Sequence, residues 1–237
     1  MKKIIVCLIA LVAFTNTQAQ KNKKGANIET ALISHYQAYY KMMLNNNDLD
    51  GAISGLSHLI VLAPTEAKKD TLGFMYLQAN KPTQALKVVG ESTSELALKT
   101  KAISFKSINN PKKSIENYEA LIQKNNSVLD AYELAQLQFS IQRFGEAKAT
   151  INYGLQNSND EKVRIFVKGN NYIETPIKAA FLNILGLIEY NLDKGNTTKV
   201  VSIFDEALKL DPEFILALEN KKGVLAQKEE AISPDKK

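Results

Sequence analysis

A small residue returns through this chain at a nearly constant step, each time early in a stretch of helical period and followed four places later by an apolar one. The clearest copies are DGAISGLSHLIVLAP (50–64), PTQALKVV (82–89), PKKSIENYEALI (111–122) and FGEAKATINYGL (144–155). Their small residues, Ala52, Ala85, Ser114 and Ala147, stand 33, 29 and 33 residues apart. Val200 follows 53 after Ala147, one such step and about twenty residues more. A unit this short cannot bury its apolar face alone, so neighbouring units must stack.

Further residues keep the same register. Leu72-Gly73 is followed by Tyr76 and Ala85, Leu185-Gly186 opens a late copy, and Phe204, Ala207, Leu208, Asp211 and Pro212 close it. In these positions the chain resembles the tetratricopeptide repeat family, from roughly Asn27 to Lys228. The resemblance implies an all-α, right-handed superhelical array of antiparallel helix pairs, with about five repeats and a C-terminal capping helix over 27–230. It also implies roles. Gly73 and Gly186 let paired helices approach, the small residues sit where a pair crosses, and Pro64 and Pro212 stop second helices. FDEALKL (204–210) packs on the first helix of its own repeat and on a helix beginning near Glu213. Three departures stand out: Ser114 at a usual alanine, the short 29-residue step, and Tyr40 where glycine is usual.

The periodicity predicts helices near 27–46, 48–62, 66–79, 82–90, 93–108, 111–124, 128–141, 144–157, 176–192, 197–210 and 213–230. The joins NNNDLDG, ANKP, NNPK and QRFG have the chemistry of short turns. Between the fourth and fifth repeats, EKVRIFVKGNNYIETP (161–176) abandons the helical period. Val163, Ile165 and Val167 alternate, and Lys168-Gly169-Asn170-Asn171 suits a turn, so a β-hairpin or loop insertion is expected there. Its Phe166 and Tyr172 are placed either to touch a partner or to cover a gap in the stack.

The first residues, MKKIIVCLIALVAFTNTQAQ, have the layout of a secretory leader: Lys2 and Lys3, an apolar run Ile4–Phe14, then small and polar residues. Cleavage after Ala19 is expected, leaving a disordered stretch at 20–26, a disordered tail at 231–237, and an exported chain, periplasmic or secreted. The run is too short to span a bilayer, so no transmembrane anchor is expected after cleavage. Cys7, the only cysteine, leaves with the leader, which removes disulfide, thiolate-ligand and cysteine-nucleophile chemistry. Without Lys2 and Lys3 the balance is 28 basic to 25 acidic residues, only Arg143 and Arg164 being arginine, and the lysines are interleaved with acids. That pattern argues against nucleic acid as a partner.

Two constellations invite metal readings. NNDLDG (46–51) copies the opening of a calcium loop, but its twelfth position is Ser57 rather than a bidentate glutamate, so Asp48 or Asp50 is read as a helix cap. His35 and His58, the only histidines, lack a third ligand and any HExxH motif, and are read as packing or surface residues. No GxSxG, Walker or GxGxxG signature occurs, so no cofactor, no metal and no catalytic residue is expected, and the chain is read as not an enzyme.

What remains is a groove. In the repeat register its concave face is expected to carry Gln37 and Lys41 from the first copy, and Asp70, Phe74 and Leu77 from the second. The third adds Lys99, Ile103 and Lys106, the fourth Tyr132, Gln136 and Phe139, and the fifth Asn183, Leu187 and Tyr190. Aromatic, aliphatic, Lys and Gln side chains mixed in this way resemble a peptide-binding groove, with Phe74 and Phe139 equally suited to packing between repeats. The chain is therefore read as a non-catalytic protein- or peptide-binding scaffold of the bacterial envelope. The alternative is a binding accessory that holds a small ligand, an oligosaccharide or peptide, for nutrient uptake. Self-association through the ends of the array is open to either.

Overall fold

The sequence writes an alternation of helices and tight polar joins, and the computed structural model follows it. It describes Gly25, residues 27–166 and residues 171–232; the leader, the ends of the chain, Val167 of the expected alternation and the expected turn at Lys168-Gly169-Asn170 lie outside these. Helix α1 spans 27–45. It is followed by α2 (Leu49–Leu62), α3 (Glu66–Gln78), α4 (Pro82–Val89), α5 (Glu95–Ser107), α6 (Pro111–Asn125), α7 (Val128–Ser140) and α8 (Phe144–Asn157). Strands β1 (Lys162–Phe166) and β2 (Tyr172–Pro176) precede α9 (Ile177–Leu192), α10 (Thr197–Leu210) and α11 (Ile215–Ile232). The chain divides into two compact units, 1–100 and 101–237, with the division inside α5.

Helix starts are set by side chains that take up the free N–H groups of a first turn. Asp48 Oδ1 accepts from Gly51 N at 2.8 Å, so of the two expected candidates Asp48 rather than Asp50 is the cap. Thr65, Asn110, Ser127 and Asn196 cap α3, α6, α7 and α10 in the same way. Pro82 and Pro111 occupy the first turns of α4 and α6, where a missing N–H costs nothing.

Helix ends follow one rule in four successive repeats. Asn47, Asn80, Asn109 and Gln142 have φ of 54°, 55°, 57° and 61°, and they stand 33, 29 and 33 residues apart, the same steps as the small residues. At each, the turn residue donates to the carbonyl three back and its successor to the carbonyl five back, as in Asn47 N to Leu44 O (3.1 Å) and Asp48 N to Met43 O (2.9 Å). This is a left-handed helix stop, and asparagine tolerates its backbone better than most residues other than glycine.

The small residues perform the crossing role. Ala52, Ala85, Ser114, Ala147 and Val200 are wholly buried, and Ser114 is admitted because its hydroxyl donates to Ala102 O at 2.7 Å. Gly73 lies so close to α4 that a Cβ there would sit 2.3 Å from Val89 Cγ1, and one on Gly186 would sit 2.6 Å from Phe204 Cε1. Tyr40 is accommodated by moving the glycine to the other helix of the pair: a Cβ on Gly55 would lie 3.2 Å from the Tyr40 Cα. The short step belongs to α4, which ends after eight residues at Gly90.

In the first unit, Ala52, Ile53, Leu56 and Leu59 of α2 form a core with Leu72 and Met75 of α3, on which Ile33, Tyr36, Tyr40 and Met43 of α1 pack. In the second, one cluster joins α7, α8 and α9 and another joins α9, α10 and α11. Phe204 and Ala207 share the latter with Phe214 and Ala217, so FDEALKL packs against α9 and α11 as expected. Residues 211–214 form a turn in which Phe214 N donates to Asp211 O, so α11 starts at Ile215 rather than near Glu213.

The insertion is a β-hairpin, antiparallel, with Val163 opposite Thr175, Arg164 opposite Glu174, Ile165 opposite Ile173 and Phe166 opposite Tyr172. Its inner face adds Val163, Ile165 and Ile173 to the helical cores. The buried Thr175 hydroxyl donates to the Asp211 carboxylate, which ties the hairpin to the end of α10.

Candidate functional site

The groove positions obey a single register: 37 and 41, then 70, 74 and 77, then 99, 103 and 106, then 132, 136 and 139, then 183, 187 and 190. The structure separates this register into two kinds of position.

In three of the five copies the leading position faces the following repeat rather than an open surface. In the first unit, Asp70 is buried, and the Ser92 and Ser94 hydroxyls, ahead of α5, donate to its Oδ2 at 2.9 and 2.7 Å. In the second, Tyr132 is buried against the Phe181 ring of α9, edge to face, with centroids 5.5 Å apart. Burial, and then the nearby Glu133 carboxylate, push its phenol well above the usual tyrosine range. Asn183 is buried as well, and its Oδ1 accepts from Asn220 Nδ2 of α11 at 2.8 Å. Each of the three touches the first helix of the next repeat or the loop that leads into it. They act as connectors between repeats, which differs from the surface role expected of them. Gln37 and Lys99, at the same position of α1 and α5, are exposed.

The other positions reach the surface. Lys41 is exposed on α1, and Phe74 and Leu77 are half-buried on α3. In the second unit, Ile103 is half-buried, and Lys106 forms an ion pair with Glu133 at 2.6 Å. Gln136 and Phe139 on α7 and Leu187 and Tyr190 on α9 are half-buried at equivalent positions, and α7 and α9 are in contact. Phe139 tilts against Phe144 at 6.0 Å, so part of its ring serves packing. The Tyr190 hydroxyl donates to Gln227 Oε1 of α11.

Two features went unread in the sequence, and a third was left open between partner contact and gap filling. Glu189, the one carboxylate of the largely apolar α9, is buried and accepts from Lys148 of α8 and Lys199 of α10, each at 2.5 Å. Those hydrogen bonds hold its carboxyl below the usual glutamate range, against a smaller opposing effect of burial. A lone carboxylate in an apolar helix was the available signal. The outer face of the hairpin is the one left open. Phe166 is 75% exposed and Tyr172 51%, with the Arg164 guanidinium 4.8 Å from the Tyr172 ring centroid and paired to Glu174 at 3.1 Å. The second unread feature is a cavity of about 700 Å3 along α10 and α11, lined by Thr198, Val201, Ser202, Asp205, Lys209 and Leu225 among others.

The histidines serve packing: His58 stacks on Tyr36 with centroids 4.4 Å apart, and His35 meets the same ring edge-on at 5.3 Å. Among the described residues no group of three or more His, Cys, Asp or Glu side chains gathers to hold a metal ion, and no helix is long and apolar enough to cross a membrane.

No protein-family profile matches the chain, and no curated protein sequence does. Solved structures do. A tetratricopeptide repeat protein from Parabacteroides merdae superposes with a TM-score of 0.63 at 16% identity, over 82% of this chain and 72% of that one. YrrB, a TPR protein with an unusual peptide-binding site, gives 0.62 at 14% identity, over 79% and 90%. MamA gives 0.54 at 18% identity, over 81% and 92%. At these identities the likeness establishes the fold: an all-α tetratricopeptide repeat array.

Proposed function

We propose that this chain, with its tetratricopeptide repeat fold, is a non-catalytic scaffold exported by its leader, which binds a protein or peptide partner in the bacterial envelope through the surfaces of its first helices. The observation that carries this reading is the repeated surface pair in the second unit. Gln136 with Phe139, and Leu187 with Tyr190, offer one amide, one aliphatic and two aromatic side chains in matching register on touching helices. Partly buried aromatics with polar neighbours are the composition of peptide grooves, because rings add contact area at little cost in side-chain entropy. YrrB, described as having an unusual peptide-binding site, is a precedent for peptide binding on this fold. The fold licenses binding only, and the partner is a matter for the site.

The test is affinity capture from native envelope extract with the parent chain and a Phe139→Ala, Tyr190→Ala version of unchanged melting temperature. A partner held by the parent and lost by the double variant supports the reading. Equal recovery by both places the contact elsewhere, with the exposed face of the hairpin the next surface to alter.

A second reading has one observation in its favour. The α10–α11 cavity, about 700 Å3 with hydroxyls, Asp205 and Lys209 on its walls, falls in the size range of small-molecule sites. A ligand that binds only the folded chain raises its melting temperature. A shift with an oligosaccharide or short peptide, abolished by Val201→Trp, would move the assignment from scaffold to ligand carrier.

A further inference from the structure

Among the described residues β1 and β2 form a sheet of two strands, which leaves each strand one edge without a neighbour. The register decides which groups lie on that edge. Ile177 N donates to Glu161 O at 2.9 Å, in the same register that sets Val163 opposite Thr175 and Ile165 opposite Ile173. Hydrogen-bonded pairs alternate with non-hydrogen-bonded ones along an antiparallel ladder, so the residues of β1 bonded to β2 are Val163 and Ile165. Lys162, Arg164 and Phe166 hold the alternate pairs, and their N–H and C=O groups point away from β2.

Among the described residues no hydrogen bond reaches those outward groups. Backbone donors and acceptors without a protein partner are almost always in contact with water, and all three residues are exposed. The groups recur at every second residue, about 7 Å apart. An extended strand laid alongside meets each of them with a group of its own, whereas a helix bonds its amides internally and offers no such row. The β2 edge is poorer, since its outward positions are Tyr172, Glu174 and Pro176, and proline has no N–H to give.

Side chains beside the β1 edge narrow the choice of strand. Phe166 is largely exposed, and the Arg164 guanidinium is engaged by Glu174. Lys162 is exposed and, among the described residues, forms no ion pair. Cross-strand neighbours stabilise one another when apolar meets aromatic and when opposite charges face. A lysine on a free edge also disfavours strands that bring no acid to meet it.

We propose that the β1 edge binds an extended peptide segment of a partner protein as a third, antiparallel strand, with an apolar residue beside Phe166 and an acidic residue beside Lys162. The main chain of the segment supplies the contact and these two side chains supply the selection. The surface uses none of the first-helix positions, so it stands or falls apart from binding there.

The probe is a capped pentapeptide, Phe-Val-Thr-Val-Asp, whose Phe, Thr and Asp would lie opposite Phe166, Arg164 and Lys162. Hydrogen exchange of the Arg164 amide in the full chain, followed by NMR, is expected to slow about tenfold at a peptide concentration ten times its Kd. Methylating the probe's Thr nitrogen, which would face Arg164, is expected to weaken binding about tenfold or more, and methylating either Val nitrogen, which would face away, far less. Arg164→Pro removes the outward N–H without touching the bonds to β2 and is expected to abolish binding, while Arg164→Ala retains it. The methylated probes test the same contact on the parent chain, so the outcome does not depend on how well Arg164→Pro folds. No slowing at about 5 mM probe, where even a weak specific contact is populated, overturns the proposal. So does equal binding by the probe methylated on Thr, which would leave recognition to side chains alone. A free chain that dimerises, and loses its dimer on Arg164→Pro, also overturns it, because the edge would then belong to a second copy.

Discussion

Gly154 of α8 lies under the face of Phe181 of α9: a Cβ at position 154 would come within 2.2 Å of the ring Cζ. The same ring meets Tyr132 edge-on, so one glycine allows three helices to close around one aromatic side chain. Gly154→Ala should destabilise the chain by about 1–3 kcal/mol, the usual cost of overpacking, despite alanine's better helix propensity. Gly223→Ala in α11, where no neighbouring atom lies within 4 Å, should stabilise by about 0.5–1 kcal/mol. Urea denaturation of both variants measures the contrast, and equal effects would refute the steric account.

The left-handed helix stops offer a second test. Gln142 takes the backbone conformation that asparagine takes in three sister turns, without asparagine's tolerance for it. Gln142→Gly should raise stability by about 0.5–1 kcal/mol, the relief of strain being partly offset by the greater freedom of the unfolded chain. A thermal melt reads the sign directly.

Glu189 makes stability depend on pH. Its folded pKa lies below its unfolded value because Lys148 and Lys199 hydrogen-bond the carboxylate. The stabilisation is therefore fully present above the unfolded value near 4.5 and is lost as pH falls through the lower folded one. Glu189→Gln should cost about 1–2 kcal/mol at pH 7, the lysines being exposed enough to rehydrate. The gap between variant and parent should narrow as pH drops below about 4.5. Denaturant melts at pH 7 and pH 3.5 check this, and a gap that does not change with pH would show that the carboxylate charge is not involved.

Tyr132 and Phe139 sit seven residues apart on α7 and should answer differently to truncation. Tyr132→Ala removes a buried ring from the contact with Phe181 and should cost about 3–5 kcal/mol of stability. Phe139→Ala, at a half-buried site, should cost less and act chiefly on partner binding. Melting temperature and capture efficiency, measured on the same two proteins, distinguish a connector from a contact residue.

The hairpin should report on its own anchorage. Thr175→Val keeps the shape of the side chain but removes the hydroxyl donated to Asp211, for an expected loss of about 1 kcal/mol. Phe166→Ser, on the exposed face, should leave stability within about 0.5 kcal/mol. Comparable losses from the two would mean that the outer face is not free.

The sequence alone determined the repeat step, the order of the helices, the crossing positions Ala52, Ala85, Ser114 and Ala147, a cap at Asp48 or Asp50, and a non-helical insertion, hairpin or loop, at 161–176. These features are local. Helical period, caps and turns are decided by residues within about five positions of each other, and a repeat imposes the same local choices again and again. Only the tertiary structure decided how each groove position is used. Asp70, Tyr132 and Asn183 share a register with Gln37 and Lys99, and nothing in their spacing marks three as buried and two as exposed. The distinction comes from partners brought in from further along the chain: Ser92 and Ser94 for Asp70, Phe181 for Tyr132, Asn220 for Asn183. The clamp on Glu189 is of the same kind, since Lys148 lies 41 residues away. Burial and hydrogen bonding of this sort depend on which side chains the stacked helices bring together, and a period read along one chain carries no record of that.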